Sequence, residues 1–425
     1  MTTILKGQKE TARFLQLLQK RAAGADEKIE SAVKKIIADV ARSGDKALKK
    51  YTAQFDRHKL PLKITKSEIA ASAKKADKKV VAALEISACR IWDFHSKQKE
   101  SSWVIKKEGA TLGQLIRPLA RAGVYVPGGK ASYPSSVLMN VIPAQVAGVK
   151  EIAVCVPTPE GMVSPVVMAA IKLLGITEVY RVGGAQAVAA LAYGTDTIKR
   201  VDKITGPGNI YVATAKKMVF GQVDIDMIAG PSEILIIADE TADASFIAAD
   251  MLSQAEHDEM ASSILVTDSS ELVKSVQQEL NSQFARLIRK DTAKKSLKKY
   301  GAVIKTKSIR EAVELSNQIA PEHLELMTSD PESLLDSIKN AGAVFMGKWT
   351  PEPLGDYSAG PNHVLPTGGT ARFSSPLGVY DFIKRTSLLS FTQRGFNAIA
   401  ETVETLSDSE GLQAHAETVR VRKRH

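Results

Sequence analysis

Residues 253–258, Ser253-Gln254-Ala255-Glu256-His257-Asp258, close a helical pattern that begins near Phe246. Gln254 and His257 are three residues apart, so on a helix they share one face. An amide oxygen and an imidazole on one face can both reach a single metal ion. Glu256 and Asp258 flank them with negative charge. An ordinary polar helix end carries the same residue types, so the rest of the chain has to separate the two readings.

Three more histidines stand in distinctive settings. His323 follows Glu322 in the segment APEHL (320–324), where a strand is expected to begin. At a strand entry both side chains can face one cleft, and an acid beside an imidazole can divide base and acid work near neutral pH. A half-exposed loop pair is the plainer alternative. His363 ends GPNH (360–363), downstream of Asp356, and His415 follows Glu410 near the C-terminal end. Oxygen and nitrogen donors without cysteine suit zinc, manganese or a similar divalent ion in a site open to further ligands. Glutamine is an unusual ligand for structural zinc, which points to a catalytic or substrate-holding ion. The spacing does not form a local metal motif.

Two glycine turns suggest an anion. Gly183-Gly184 and Gly206-Pro207-Gly208-Asn209 each follow a strand-like segment and precede a helical one, where backbone amides collect phosphates. The G-x-G-x-x-G fingerprint is absent, so a nicotinamide cofactor has to bind in a non-standard way. A plain turn is the other reading. His58 and His95 sit among Arg, Lys and Asp and are expected to be solvated.

The elements that position these residues change in kind along the chain. Helical patterns run over 1–20, 27–55 and 67–99. From residue 112 strands and helices alternate, with strands at 112–119, 123–126, 151–156 and 179–182. The alternation starts again with strands at 233–238, 262–267, 302–305, 323–327 and 342–346. Helices at 243–257, 269–288 and 308–319 lie between them, and Asp330-Pro331 caps another. Such alternation predicts two tandem open parallel sheets with a cleft between them. Residues 347–375, rich in Gly and Pro, read as a long loop, and a loop of that length is usually functional. Two helices, 393–406 and 411–422, close the sequence.

Length and composition exclude several classes. At 425 residues the chain has room for two or more domains, and 44% hydrophobic with 24% charged residues is ordinary globular composition. The net charge is +10, but the basic residues are dispersed except at 420–425. Aromatic residues make up 5%, too few for stacking platforms, so no nucleic-acid partner is expected. No stretch approaches membrane-spanning length, and the first ten residues lack the apolar segment of a secretory signal. The two cysteines, Cys89 and Cys155, do not make a disulfide framework. A cytoplasmic protein without membrane contacts is the expectation.

Several segments in order are more specific than any one of them. RAGVYVPGG (121–129), GPGN (206–209), IAGPSE (228–233), SQAEH (253–257), APEHL (320–324), GPNH (360–363) and EGL (410–412) together resemble histidinol dehydrogenase, from about Lys28 to Ala416. The resemblance implies two incomplete Rossmann-like, aldehyde-dehydrogenase-like α/β domains with helical N- and C-terminal arms. It divides the chain into an N-terminal arm (1–22), an α/β domain (23–110 and 234–375) carrying most metal and catalytic residues, an inserted α/β domain (111–233) with NAD contacts, and a C-terminal arm (376–425).

By the same resemblance, Gln254, His257, Asp356 and His415 bind one zinc ion per subunit. Glu322 and His323 are the proton-transfer pair. Ser232, Gln254, His257, His323, Asp356, Glu410 and His415 surround histidinol, with His363 close by. Tyr125, Gln186 and Asn209 contact NAD. The resemblance further implies a homodimer with shared sites, in which the C-terminal arm lends Glu410 and His415 to the neighbouring subunit. The implied reaction is the NAD-linked four-electron oxidation of L-histidinol to L-histidine through bound L-histidinaldehyde, with two NAD+ consumed, at the end of histidine synthesis. A zinc hydrolase and a non-catalytic dinucleotide- or metal-binding module are the alternatives. Reduction of NAD by an amino alcohol separates them.

Overall fold

A computed structural model describes residues 2–5, 7–22, 27–128 and 132–424. Gly129 of the segment 121–129 and the terminal His425 lie outside the described residues. Strand β1 (Thr3–Leu5) leads into helix Gln8–Ala22 and then helix Glu27–Phe55. Short β2 (Lys63–Ile64) is followed by helices Lys66–Ala73 and Lys78–Ser96. A hairpin follows, β3 (Trp103–Lys107) and β4 (Ala110–Pro118). The middle of the chain holds β5 (Arg121–Tyr125), β6 (Glu151–Cys155), β7 (Glu178–Tyr180), β8 (Lys203–Thr205) and β9 (Asp224–Ile225). The next segment holds β10 (Glu233–Ala238), β11 (Ser262–Thr267), β12 (Gly301–Lys305), β13 (His323–Met327) and β14 (Ala343–Met346), and β15 (Ile383–Phe391) comes last.

Two open sheets result, as the alternation predicts. The first has the order β2-β7-β6-β5-β8-β9, parallel except for β2. The second, β1-β12-β11-β10-β13-β14, is parallel throughout. Their central strands are apolar on both faces because helices cover both sides: every residue of β10 and β11 is buried. Each sheet reverses its strand order at one place, β5 in the first and β10 in the second. Crevices form at such reversals.

A third, antiparallel sheet, β15-β4-β3, departs from the expected architecture. Its β3 is exposed along its whole length and β15 nearly so. Neither strand carries the alternation of buried and exposed residues that marks a strand in sequence. Residues 290–300, part of a basic stretch in sequence, form a separate helix. Asp330-Pro331 leads into a short 3-10 segment, Glu332–Ser337.

Helix Glu27–Phe55 buries Val33, Ile36, Val40, Leu48 and Tyr51 against the alanine-rich helix Gly184–Tyr193 of the first sheet. Ile69, Leu84 and Ile91 enter the other core of that sheet. Helices Glu27–Phe55, Lys66–Ala73 and Lys78–Ser96 thus pack on the first sheet. Conversely β1 pairs with β12, and Phe14 and Leu18 of the N-terminal helical arm pack on the second sheet.

His58 and His95 are buried, contrary to the solvated setting expected. His58 Nε2 lies 2.9 Å from Thr158 Oγ1, and His95 Nδ1 lies 2.8 Å from the Ile91 carbonyl. Both sit on the inner faces of their segments, where a polar partner replaces water.

The segment 347–382 ties the two sheets together. It opens with a short helix, Glu352–Tyr357. Asn362 then donates to the Met139 carbonyl at 2.7 Å, and Leu377, Val379 and Phe382 enter a core of the first sheet. The last two helices, Gln393–Ser409 and Gln413–Lys423, pack on each other. Lys423 reaches Glu404 at 2.9 Å and Arg420 pairs with Asp408, so the basic tail is balanced within this hairpin. Among the described residues no helix is long and apolar enough to cross a membrane.

Candidate active site

The polar residues of the second sheet gather at one edge, where β10 and β13 begin. Glu322 and His323 enter β13 beside Glu233, the first residue of β10. The backbone of Glu233 holds both: its N–H donates to Glu322 Oε2 at 2.8 Å, and its carbonyl lies 2.9 Å from His323 Nδ1. A carbonyl only accepts, so Nδ1 carries the hydrogen and Nε2 keeps its lone pair. That Nε2 is buried and has no hydrogen-bond partner. The ring rests against Phe345 of β14, with centroids 5.8 Å apart. Burial holds the His323 pKa down, so the imidazole is neutral.

Facing Nε2 are two carboxylates from helix Glu352–Tyr357, Glu352 at 3.8 Å and Asp356 at 3.9 Å. His323, Glu352 and Asp356 offer donor atoms that all lie within 4.8 Å of one another. Burial, with Asp356 beside it, pushes the Glu352 carboxyl up to about 10. Glu322 is also pushed well above the usual range, first by burial and then by the charges of Glu233 and Asp356, while Arg21 opposes the shift. Crowded carboxylates at such a cost in ionisation suit a site completed by a positive charge.

Gln254 and His257 come from the end of helix Ala244–Ala255, capped at its start by Asp243. The helix stops at Ala255, so His257 lies in the turn beyond it, its backbone N–H donating to the Gln254 carbonyl at 3.2 Å. The Gln254 side chain is fully buried, and neither its oxygen nor its nitrogen has a partner. A buried amide left that way marks a place for a ligand. His257 is close enough for its charge to bear on His323, and so is His363, whose Nδ1 lies 3.0 Å from the Asp356 carbonyl. Ser232 stands one residue before β10, and its carbonyl accepts from the Ser262 N–H. His257, Glu322, His323, Asp356 and His363 thus converge, and Gln254 ends the helix that leads to His257. An oxygen- and nitrogen-rich set without thiols, in which an imidazole faces two carboxylates, fits a divalent cation.

Glu410 and His415 do not join this group. Glu410 caps the end of helix Gln393–Ser409 and His415 lies in the first turn of helix Gln413–Lys423; both are exposed, and among the described residues no hydrogen bond or ion pair links their side chains to the group.

The residues proposed for the dinucleotide occupy the C-terminal edge of the first sheet, around its order reversal. Tyr125 ends β5, and its hydroxyl accepts from the Gly184 N–H at 3.2 Å. Gln186 follows in the first turn of the next helix, buried, with its side-chain oxygen unpartnered. Asn209 caps helix Ile210–Val219 by accepting from Tyr211 and Val212 N–H. Asn209 itself is exposed.

Sequence reasoning missed a second tier of acids. Glu325 is buried in β13 and accepts from the Glu352 N–H at 2.9 Å. It lies beside Asp250 of helix Ala244–Ala255, whose carboxyl burial pushes up to about 6. Arg21, from the first helix, pairs with Glu233 in the interior. The available signal was a charge in an otherwise apolar strand, HLELM, where an unpaired carboxylate is rare.

Comparisons with known proteins agree over the whole chain. The sequence model described as histidinol dehydrogenase matches residues 19–423. Histidinol dehydrogenase of Syntrophotalea carbinolica is 54% identical over 400 residues, covering 93% of each chain. That of Bacillus subtilis is 52% identical over 417 residues, covering 97% of each. The crystal structure of histidinol dehydrogenase from Elizabethkingia anophelis has a TM-score of 0.95 at 37% identity, covering 100% of this chain and 98% of that one.

Proposed function

The chain belongs to the histidinol dehydrogenase family, and on that premise we propose that it oxidises L-histidinol through the bound aldehyde to L-histidine, reducing two NAD+. The observation that carries the reading is His323. Its ring is neutral, fixed through Nδ1 on the side where Glu322 lies, and presents a free Nε2 towards Glu352 and Asp356. Such a group takes the alcohol proton in the first oxidation. Glu322 is held one residue away by the same backbone. Its raised pKa makes it a stronger base once ionised, fit to take a proton from the water that adds to the aldehyde.

Gln254, His257 and Asp356, with His415 from a second subunit, would hold zinc, which supplies a template for the imidazole and amine of the substrate. NAD+, held by Tyr125, Gln186 and Asn209, supplies the hydride acceptor. Ser232, His363 and Glu410 complete the substrate's surroundings. The test is direct: purified protein with zinc, NAD+ and histidinol should form two NADH per histidinol. A zinc hydrolase would form none.

We propose a homodimer because the antiparallel sheet and last helices leave a broad apolar surface. Trp103, Val104, Ile105 and Leu389 are exposed on the sheet, and Ile399, Val403 and Leu406 on the helix after it. A patch of that extent usually marks an interface. It lies on the elements that lead to Glu410 and His415.

Removal of zinc should abolish turnover but leave the fold. Gln254, His257 and Asp356 come from elements with their own apolar support, such as Met251 and Leu252 beside Gln254. Circular-dichroism melting of a chelated sample checks this, and outright unfolding would make the metal structural.

Cysteine should be dispensable. Cys155 is buried in β6, where burial pushes its thiol up to about 12, and Cys89 lies on helix Lys78–Ser96. The double variant Cys89→Ser/Cys155→Ala should keep most activity and still give two NADH per histidinol. A thiohemiacetal route would stall at the aldehyde instead.

A further inference from the structure

Lys216 is the largest fully buried side chain among the described residues. It lies in helix Ile210–Val219, amid the buried Val212, Ala213, Ala215 and Val219. A lysine is rarely buried so completely unless it is paired. Its ammonium pairs with Asp226, just after β9, and the two side chains are 2% and 1% exposed.

The pair grips one residue. Lys216 Nζ donates to the Gly206 carbonyl at 3.0 Å, and the Gly206 N–H donates to Asp226 Oδ2 at 2.8 Å. Both backbone polar groups of Gly206 are thus held by a single ion pair. Gly206 has φ +114°, and a Cβ there would collide with the Tyr125 carbonyl oxygen. The backbone of this turn is therefore pressed against the end of β5. Asn209, three residues on, starts the helix that carries Lys216.

We propose that the Lys216–Asp226 pair is a positioning device for dinucleotide binding, fixing turn 206–209 so that Tyr125 and Asn209 stand in register for the cofactor. It rests on the NAD-linked reading above. An apolar pair of similar volume is often as stable as a buried ion pair. It could fill the space, but it could not bond the N–H and carbonyl of a glycine in this conformation. What the charges supply is the geometry of the turn.

The double variant Lys216→Met/Asp226→Leu tests this against the wild type. NAD+ binding is measured by titration calorimetry, and KM for each substrate by turnover. The variant should melt near the wild type, while Kd and KM for NAD+ rise about tenfold, the scale of lost hydrogen bonds. KM for histidinol and zinc content should not change. Asp226→Asn keeps an acceptor for the Gly206 N–H, so it should bind NAD+ nearly as the wild type does even though it loses stability.

A folded double variant with unchanged Kd for NAD+ overturns the proposal. So does Asp226→Asn binding as weakly as the double variant, because the pair would then act through stability alone. If the double variant does not fold, hydrogen exchange of the wild type decides. The Gly206 amide should exchange as slowly as those of β5, and fast exchange there refutes the grip. A wild type that neither binds nor reduces NAD+ fails the functional reading itself and takes this proposal with it.

Discussion

Glu322→Gln should slow the oxidation of histidinaldehyde by about 10²–10⁴-fold, the range for loss of a general base. The conversion of histidinol to the aldehyde should suffer far less. The change is nearly isosteric. The Gln carbonyl can still accept the Glu233 N–H that Glu322 Oε2 accepts at 2.8 Å, so the entry to β13 keeps its shape. Only the basic oxygen is lost, and only the second oxidation needs an activated water. His323→Asn should have the opposite emphasis, because the alcohol proton has to leave in the first step and Nε2 is the free acceptor for it. The two substrates, supplied separately with NAD+ in excess, give each step its own NADH trace. Equal loss of both steps in Glu322→Gln would count against this division of labour.

The pair itself was legible because Glu322 and His323 are adjacent in sequence. The central strands were legible for a related reason. Runs such as ILIIA, which follows Glu233 in β10, are apolar throughout, and only a strand covered on both faces tolerates that. What the sequence did not disclose depends on neighbours far along the chain. β1 is only Thr3–Leu5 and gains its identity from pairing with β12. The faces of β3 and β15 are exposed, so they carry no buried pattern to read. Helix Glu27–Phe55 shows a clear apolar stripe, but nothing in the stripe says which sheet it will cover. Its partner proved to be the alanine-rich helix Gly184–Tyr193.

The site divides in the same way. Gln254 and His257 were readable from helical spacing, yet the helix ends at Ala255, and the two are brought together by the turn beyond it. Glu352 stands in a Pro-rich loop and looks solvent-facing in sequence. The fold buries it because Glu325 of β13 accepts its N–H. Asp250 and Glu325 then link the helix bearing Gln254 to the strand bearing His323. Two buried carboxyls brought side by side are visible only when the helix and the strand meet.

Two inactive variants mixed together should make an active enzyme. His257→Ala damages the core site, and His415→Ala damages the C-terminal helix. Within one chain His415 stands exposed on helix Gln413–Lys423, while His257 lies near His323, with no contact between them among the described residues. If the C-terminal arm serves the neighbouring subunit, each active site draws on two chains. In either homodimer both sites carry a defect. In a mixed dimer one site receives both defects and the other receives neither, because core and arm come from different chains. Random pairing of equal amounts makes half the dimers mixed, and each of these has one intact site of two. Activity should therefore return to about a quarter of the wild type after co-refolding. If both residues served the same subunit, every site would keep one defect and mixing would recover nothing. The exposed apolar face of Trp103, Ile105 and Leu389 gives the assay a control. Charged residues placed there should prevent the dimer, and with it the recovery.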